Sequence, residues 1–201
     1  IGCRACQVAC KDKNRLGVGT LYRGVKSYTV GTFPDVKTYS YSASCNHCED
    51  PICMKNCPVG AIKKAEDGTV IQDQEKCIGC RMCMAACPYN ARVFNWSEPV
   101  RDPDFNYGDK DVPVRPKGVA EKCTMCKERT DCGEEPMCVM CCPTEARVFG
   151  DLTTPKAPFR SFSGKRVLLC SWKSRARARK SVTSNKGGVL WNCLRRTRLP
   201  W

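Results

Sequence analysis

Cys77-Ile-Gly-Cys80-Arg-Met-Cys83-Met-Ala-Ala-Cys87-Pro88 is the stretch on which the reading of this chain turns. Its four cysteines stand at C-x2-C-x2-C-x3-C spacing and run directly into proline. That spacing holds [4Fe–4S] clusters, with three cysteines at one cluster and the fourth reaching across to another. The reason is steric. Three closely spaced thiolates wrap the corners of one cube, and the wider last gap carries the fourth cysteine into a helical turn facing away. The proline holds the cysteine before it in an extended conformation and sets the chain's direction. A site of this kind implies a partner site, so further cysteine motifs are expected.

Cysteine makes up 19 of the 201 residues, a density that in short secreted chains marks a disulfide scaffold. Three features oppose that reading: the count is odd, the cysteines bunch at gaps of two and three, and the bunches recur with Pro. Such local bunches wrap metal more readily than they form bridges. Zinc is the other alternative. With His47 the one histidine of the chain, fingers with two cysteines and two histidines are excluded, whereas four-cysteine ribbons are not.

Charge is distributed unevenly. Residues 1–151 hold 21 basic and all 20 acidic residues, while residues 152–201 hold 13 basic and no acidic ones. The tail therefore carries nearly all of the +14 net charge. Each [4Fe–4S] core with four thiolates adds about two negative charges, so a loaded body would be acidic and the overall basicity is no nucleic-acid signature. No apolar run approaches transmembrane length.

The same pattern recurs along the chain. Ile1-Gly-Cys3-Arg-Ala-Cys6-Gln-Val-Ala-Cys10 matches Ile78-Gly-Cys80-Arg-Met-Cys83-Met-Ala-Ala-Cys87 almost residue for residue. The position before Ile1 then corresponds to Cys77, and the expectation is that one ligand precedes the given residues; a three-cysteine motif is the alternative. Residues 20–44 read as a two-stranded excursion turning at Gly31-Thr-Phe-Pro-Asp35, with Tyr39 and Tyr41 expected inward over a cluster. A second motif follows, Cys45-Asn-His-Cys48-Glu-Asp-Pro-Ile-Cys53-Met-Lys-Asn-Cys57-Pro58, with Pro51 compacting its wider gap. With four cysteines at hand His47 is not expected as a ligand. Asp67-Gly68, between short apolar runs, predicts a β-hairpin.

One phrase occurs three times: Cys57-Pro-Val-Gly-Ala-Ile62, Cys87-Pro-Tyr-Asn-Ala-Arg92 and Cys142-Pro-Thr-Glu-Ala-Arg147. It argues for duplication of one cluster-binding unit. Residues 95–121, rich in Pro, Asp and Lys, read as an exposed connection. The last motif is Cys123-Thr-Met-Cys126, eleven residues, then Cys138-Val-Met-Cys141-Cys142-Pro143, with Cys132 and Cys141 left over as spares. From residue 153 the character changes to a basic tail containing Lys173-Ser-Arg-Ala-Arg-Ala-Arg-Lys180. A basic arm for nucleic acid or anionic lipid, a disordered tail packed on a partner, and non-native sequence are three competing readings. Cys170 and Cys193, isolated there, are assigned to no site.

With four motifs in this order, the chain resembles the four-cluster iron–sulfur subunits of the DMSO reductase type. The resemblance rests on Ile1-Gly-Cys-Arg-Ala-Cys-Gln-Val-Ala-Cys-Lys-Asp-Lys-Asn14, Ser44-Cys-Asn-His-Cys-Glu-Asp-Pro51, Cys77-Ile-Gly-Cys80 and Cys87-Pro-Tyr89. It covers residues 1–152 and not the tail. It implies an α+β fold of tandem ferredoxin-like cluster-binding units with small β-hairpin insertions; the tail over 153–201 is expected to be irregular from its composition. It also implies four [4Fe–4S] clusters with paired motifs: Cys45, Cys48, Cys53 and Cys87 at one; Cys77, Cys80, Cys83 and Cys57 at its partner; Cys123, Cys126, Cys138 and Cys10 at a third. Cys3, Cys6 and Cys142 would hold the fourth, short of one ligand, and so prone to lose iron or settle as [3Fe–4S].

The implied function is electron transfer between a membrane quinone-binding anchor subunit and a molybdopterin catalytic subunit of an anaerobic reductase or dehydrogenase. The membrane would be reached only through the partner; the resemblance favours the periplasmic side without fixing it. No nucleic acid is expected as partner. No nucleophile, nucleotide loop or acid–base pair is evident, so no substrate chemistry of the chain's own is expected. Lys11, Lys55, Lys76, Arg81 and Lys122 flank ligands and are candidates for raising cluster potentials. Two alternatives stand: a ferredoxin acting alone, and a zinc protein using the tail on nucleic acid.

Overall fold

The computed structural model describes residues 1–99, 108–113 and 115–150. The basic tail and part of the 95–121 connection fall outside these residues. Helices are short and strands come in pairs. Helix α1 (Ala5–Lys13) is followed by β1 (Arg23–Val30) and β2 (Lys37–Ser44), then by α2 (Ile52–Lys55), β3 (Ile62–Lys64) and β4 (Val70–Gln72). Next come α3 (Met82–Ala85), β5 (Arg92–Phe94), β6 (Ala120–Lys122), α4 (Lys127–Thr130) and α5 (Met137–Met140). The strands form three antiparallel pairs, β1 with β2, β3 with β4 and β5 with β6. This is a small mixed helix-and-strand architecture.

Four of the five helices are single turns of four residues without a side-chain cap. A turn that short cannot sustain itself, because nucleation costs more than one turn returns. Nor does a large core hold them. Ile62, Val70, Cys83 and Ala120 form one buried cluster and Cys10, Leu16 and Tyr22 another, so cysteines are themselves core residues. Helix α1 packs on α5 and on β1, while α2 packs on α3 and β3.

The hairpin expected at Asp67-Gly68 is present. Gly68 takes φ 84°, the Ala65 amide donates to the Thr69 carbonyl at 2.8 Å, and Asp67 Oδ1 accepts from the Thr69 amide and hydroxyl. The β1–β2 ribbon also forms, in the register Tyr28↔Tyr39. Its tyrosines, however, do not point inward. Tyr39 and Tyr41 are 40% and 50% exposed, and Tyr39 stacks on Tyr28 at 5.7 Å instead of covering a cysteine site. Most of the ribbon stands clear of the body, so only its base, Tyr22 and Arg23, is buried. The 95–121 stretch departs as well. It ends in β6, and Val112, Arg115, Val119, Ala120 and Glu121 are buried. Its few apolar residues escape a periodicity reading because β6 is only three residues long. No helix among the described residues is long and apolar enough to cross a membrane.

Candidate metal centres

The repeated phrases fold alike. In Ile1-Gly2-Cys3-Arg4 the glycine and arginine sit at φ 73° and 62°, and in Ile78-Gly79-Cys80-Arg81 they sit at 70° and 60°. Each pair of left-handed residues swings the chain around a cysteine and starts a helix on the next one. The three Cys-Pro phrases match too. Gly60, Asn90 and Glu145 all have positive φ, and their amides donate to the carbonyls of Cys57, Cys87 and Cys142 at 3.2, 3.2 and 3.1 Å. Backbone amides also point at sulfur: His47 to Cys45 Sγ at 3.5 Å, Met125 to Cys123 Sγ at 3.4 Å and Ala61 to Cys57 Sγ at 3.3 Å.

The thiols gather crosswise. Cys57, Cys77, Cys80 and Cys83 line one pocket, walled by Ile62, Ile78 and Ala120 among others. Cys45, Cys48, Cys53 and Cys87 line another, with Pro51, Val70 and Arg92 in its wall. In each cavity the last thiol comes from the motif whose other three line the neighbouring cavity. The third set is drawn together around Cys10. Burial raises that thiol, and the neighbouring Cys123, Cys126 and Cys138 add to it. Burial likewise pushes Cys126 up to about 11 against the opposing charge of Lys13.

The remaining thiols are looser. Cys3 is exposed, Cys6 Sγ lies 3.5 Å from Ser42 Oγ, and Cys142 Sγ lies 3.7 Å from Thr144 Oγ1. Cys142 is held low: burial is outweighed by hydrogen bonds from Thr144 and Ala146 and by Arg147. Cys141, expected as a spare, has Cys138, Cys6 and Cys142 for neighbours; burial first and then these thiols raise it.

The sets also adjoin one another in sequence. Cys83 is raised by burial and, after the opposing Arg92, by Cys53 of the next set. Cys45 is raised by burial and further by Cys123 of the Cys10 set, with Lys122 and Arg92 opposing. Cys141 joins Cys138 to Cys6. The Cys83 set thus neighbours the Cys53 set, the Cys53 set neighbours the Cys10 set, and Cys141 lies between Cys138 and Cys6.

The surroundings favour an anionic group held by soft donors. Six cationic side chains are buried among the described residues (Lys13, Arg23, Arg92, Arg115, Lys122 and Arg147), against one buried carboxylate, Glu121. Glu121 is taken up by Tyr22 Oη at 2.9 Å, Asn95 Nδ2 at 2.7 Å and Arg115 Nε at 3.7 Å. Arg92 Nη2 and Arg147 Nε and Nη1 find no hydrogen-bond partner among the described residues. Buried guanidinium nitrogens without partners are costly, and a cluster with its thiolates would place negative charge beside them. The residues present fit an iron–sulfur cluster.

His47 is buried at 2% exposure, its Nδ1 accepting from the Val70 amide at 3.0 Å. The proton therefore sits on Nε2, which faces the Cys123 backbone; the Cys123 carbonyl also accepts from Lys122 Nζ at 2.8 Å. Burial, then the Lys122 charge, holds His47 well below the usual imidazole range. Of the flanking cations read from sequence, only Lys122 is buried. Lys55 and Lys76 pair with Asp50 and Asp73 at the surface, Lys11 bonds loop carbonyls, and Arg81 lies over Phe94 and Trp96. Arg92 and Arg147 escaped that reading. The signal available was the repeated Ala-Arg after each of two Cys-Pro phrases.

Comparison with known proteins points to iron–sulfur clusters as well. The model of the 4Fe–4S dicluster domain matches residues 36–102 and 111–152. A dimethyl sulfoxide reductase iron–sulfur subunit from Halobacterium salinarum is 45% identical, over 76% of this chain and 62% of its own length. The arsenate respiratory reductase iron–sulfur subunit of Shewanella sp. strain ANA-3 is 39% identical, over 78% of this chain and 80% of its own. A selenate reductase subunit of Mesobacillus selenatarsenatis is 41% identical, over 78% and 59%. The chain thus spans about three-fifths of the first and third of these relatives.

Proposed function

Because the chain belongs to the 4Fe–4S dicluster family and to the iron–sulfur subunits of the DMSO reductase type, we propose that it is an electron-transfer subunit carrying four clusters in a row. The carrying observation is the crosswise gathering of eight thiols, four to a cavity, from two adjacent motifs. In this reading Cys57, Cys77, Cys80 and Cys83 hold one [4Fe–4S] cluster and Cys45, Cys48, Cys53 and Cys87 the next. Cys10, Cys123, Cys126 and Cys138 hold the third, and Cys3, Cys6 and Cys142 contribute to the fourth. The unit is residues 1–152, two ferredoxin-like pairs in tandem, with residues 153–201 a separate basic tail.

Bound clusters supply one-electron exchange without atom transfer. The protein's own residues do the rest. Thiolates fix position, apolar walls such as Ile62, Val70 and Ala120 keep water from sulfur, and amide donors and buried cations favour the more negative, reduced state. The neighbouring of successive sets supports a continuous path. Its ends are a molybdopterin catalytic subunit and a quinone-linked membrane subunit, the membrane being reached only through the latter.

Iron and acid-labile sulfide assays on the purified chain test the reading. The expected result is three to four clusters' worth of both, roughly four iron per cluster, with a brown chromophore. Stoichiometric zinc without sulfide would sink it. Co-purification with a large molybdenum-containing subunit is expected; a chain that remains alone while fully loaded favours a ferredoxin acting by itself.

A further inference from the structure

Arg92 and Lys122 stand directly opposite each other on β5 and β6. Both are buried, at 3% and 5% exposure, and neither makes an ion pair with any described residue. Like charges directly opposed across an antiparallel pair are destabilising, more so away from water. Glu121, between them in sequence terms, is committed elsewhere, to Tyr22, Asn95 and Arg115. What Arg92 does face is sulfur. Arg92 Nη1 lies 3.4 Å from Cys83 Sγ, and the residue also lines the cavity of Cys45, Cys48, Cys53 and Cys87. Gln72 Oε1 accepts from the same Nη1 at 2.5 Å, and Gln72 Nε2 is itself anchored on the Ala120 carbonyl at 2.5 Å. The guanidinium is thus aimed by the strands and not free to turn away. Lys122 Nζ is fixed on the Cys123 carbonyl at 2.8 Å, inside the first turn of the Cys123 motif; burial lowers the lysine, and the neighbouring Cys45, Cys123 and Cys53 thiols oppose that.

We propose that Arg92 and Lys122 are positioning residues that set the reduction potentials of adjoining sites, Arg92 for the Cys83 and Cys53 sets together, Lys122 for the Cys53 and Cys10 sets together. The inference rests on the reading that these thiol sets hold clusters. Reduction adds one negative charge to a cluster, and a fixed buried cation stabilises that charge, raising the potential. A cation shared by two sites raises both. The Cys53 set, touched by both cations, is raised most, so the row carries a built-in step at its second position.

The test is EPR-monitored redox titration of the loaded complex, in wild type, Arg92→Gln and Lys122→Gln. Signals are assigned from Cys83→Ser, Cys53→Ser and Cys10→Ser. Arg92→Gln is expected to lower the reduced-to-oxidised ratio of the Cys83 and Cys53 sites at least tenfold at fixed ambient potential, about 59 mV for one electron. The Cys10 site should stay within about twofold, a shift under ~20 mV on the same scale. Lys122→Gln should move the Cys53 and Cys10 sites and spare the Cys83 site. A uniform shift of all sites, or none, in protein with wild-type iron and sulfide overturns the inference. Wild type lacking iron and sulfide overturns the underlying reading instead. Should Arg92→Gln fail to load, Arg92→Lys, which keeps the charge, is expected to load and hold both potentials within about twofold of the wild-type ratio; its failure on either count also overturns the inference.

Discussion

The pair of thiol sets within residues 45–94 and the pair built from residues 1–23 and 123–147 use the same local turns in different settings. In the first pair all four thiols of each set line one cavity, and the motifs exchanging their last cysteine are close in sequence. In the second pair the exchange spans more than a hundred residues, between Cys10 and Cys123. Closing that loop falls to the packing of α1 on α5, to Lys13 pairing with Asp109 and Glu128, and to Tyr22 bonding Glu121. Loop-closure entropy grows only slowly with length, so the cost lies less in the closure than in having few contacts to hold it. The first pair is held by its own motifs. The second depends on side chains beside its motifs, Lys13, Glu121 and Glu128, reaching partners distant in the chain.

The sharpest break in that comparison is at the two matching glycines. A Cβ at Gly79 would run into the Gly118 carbonyl oxygen, and φ there is 70°. Backbone cannot step aside as a side chain can. Gly79→Ala is expected to abolish the Cys83 site, with loss of about four iron per chain. At Gly2 the obstacle is the Ser40 hydroxyl at 2.6 Å, which can rotate, leaving the φ strain of 73° as the main cost, about 1 kcal/mol. Gly2→Ala is therefore expected to retain iron at the Cys6 set to a greater extent. Gly17→Ala, with open space and no positive φ, serves as the neutral reference. Iron assays on the three proteins decide; equal losses at positions 2 and 79 would erase the distinction.

Cys87→Ser probes the crosswise gathering itself. Cys87 lines the cavity of Cys45, Cys48 and Cys53, so its EPR change is expected there first, while the signal from the site of Cys77, Cys80 and Cys83 persists. Loss of the latter signal first would reverse the assignment. A smaller effect is expected at Tyr22, whose hydroxyl donates to Glu121 across 99 positions. Tyr22→Phe leaves that carboxylate on Asn95 and Arg115 alone, at a cost of about 1–2 kcal/mol. The Cys10 signal should bleach at lower temperature while the Cys83 signal keeps its wild-type midpoint. Parallel bleaching of both would mean that the two pairs melt as one unit.

How much of this was legible in the sequence follows the same division. Motif spacing carries local geometry, because each Cys-Pro phrase and each Ile-Gly-Cys-Arg phrase folds by its own backbone preferences. The hairpin at Asp67-Gly68 belongs to that class. The ribbon's strands were legible as well, but not the outward aim of Tyr39 and Tyr41, since a two-stranded ribbon has no face committed to a core until something packs on it. β6 was hidden in a Pro- and Asp-rich connection, because three residues cannot display a period. Arg92 and Lys122 were the least visible as a pair. They are thirty positions apart and meet only through the β5–β6 register, and nothing local marks which of many cations goes inside.

The smallest expected effect tests whether the first pair has any tie to the second beyond the cluster sites. Lys127 of α4 reaches Asp67 in the β3–β4 turn at 2.7 Å and Asp131 at 2.8 Å. Burial alone would raise Asp67, but hydrogen bonds from Lys127 and Thr69 outweigh it and hold the carboxyl below its usual range. A carboxyl depressed in the folded state adds stability that is complete above its unfolded pKa, about 3.9, and lost as the pH falls through its folded value. Both partners are only partly covered, so Asp67→Asn is expected to cost no more than about 0.5–1 kcal/mol at pH 7. That difference, read as the separation of urea midpoints between wild type and variant, should shrink toward zero as the pH is lowered through about 4 and below. Because Asn keeps an oxygen for the Thr69 amide, the turn survives and only the Lys127 tie is removed. A difference that persists unchanged in acid would place the effect in the turn rather than in the bridge between the two pairs.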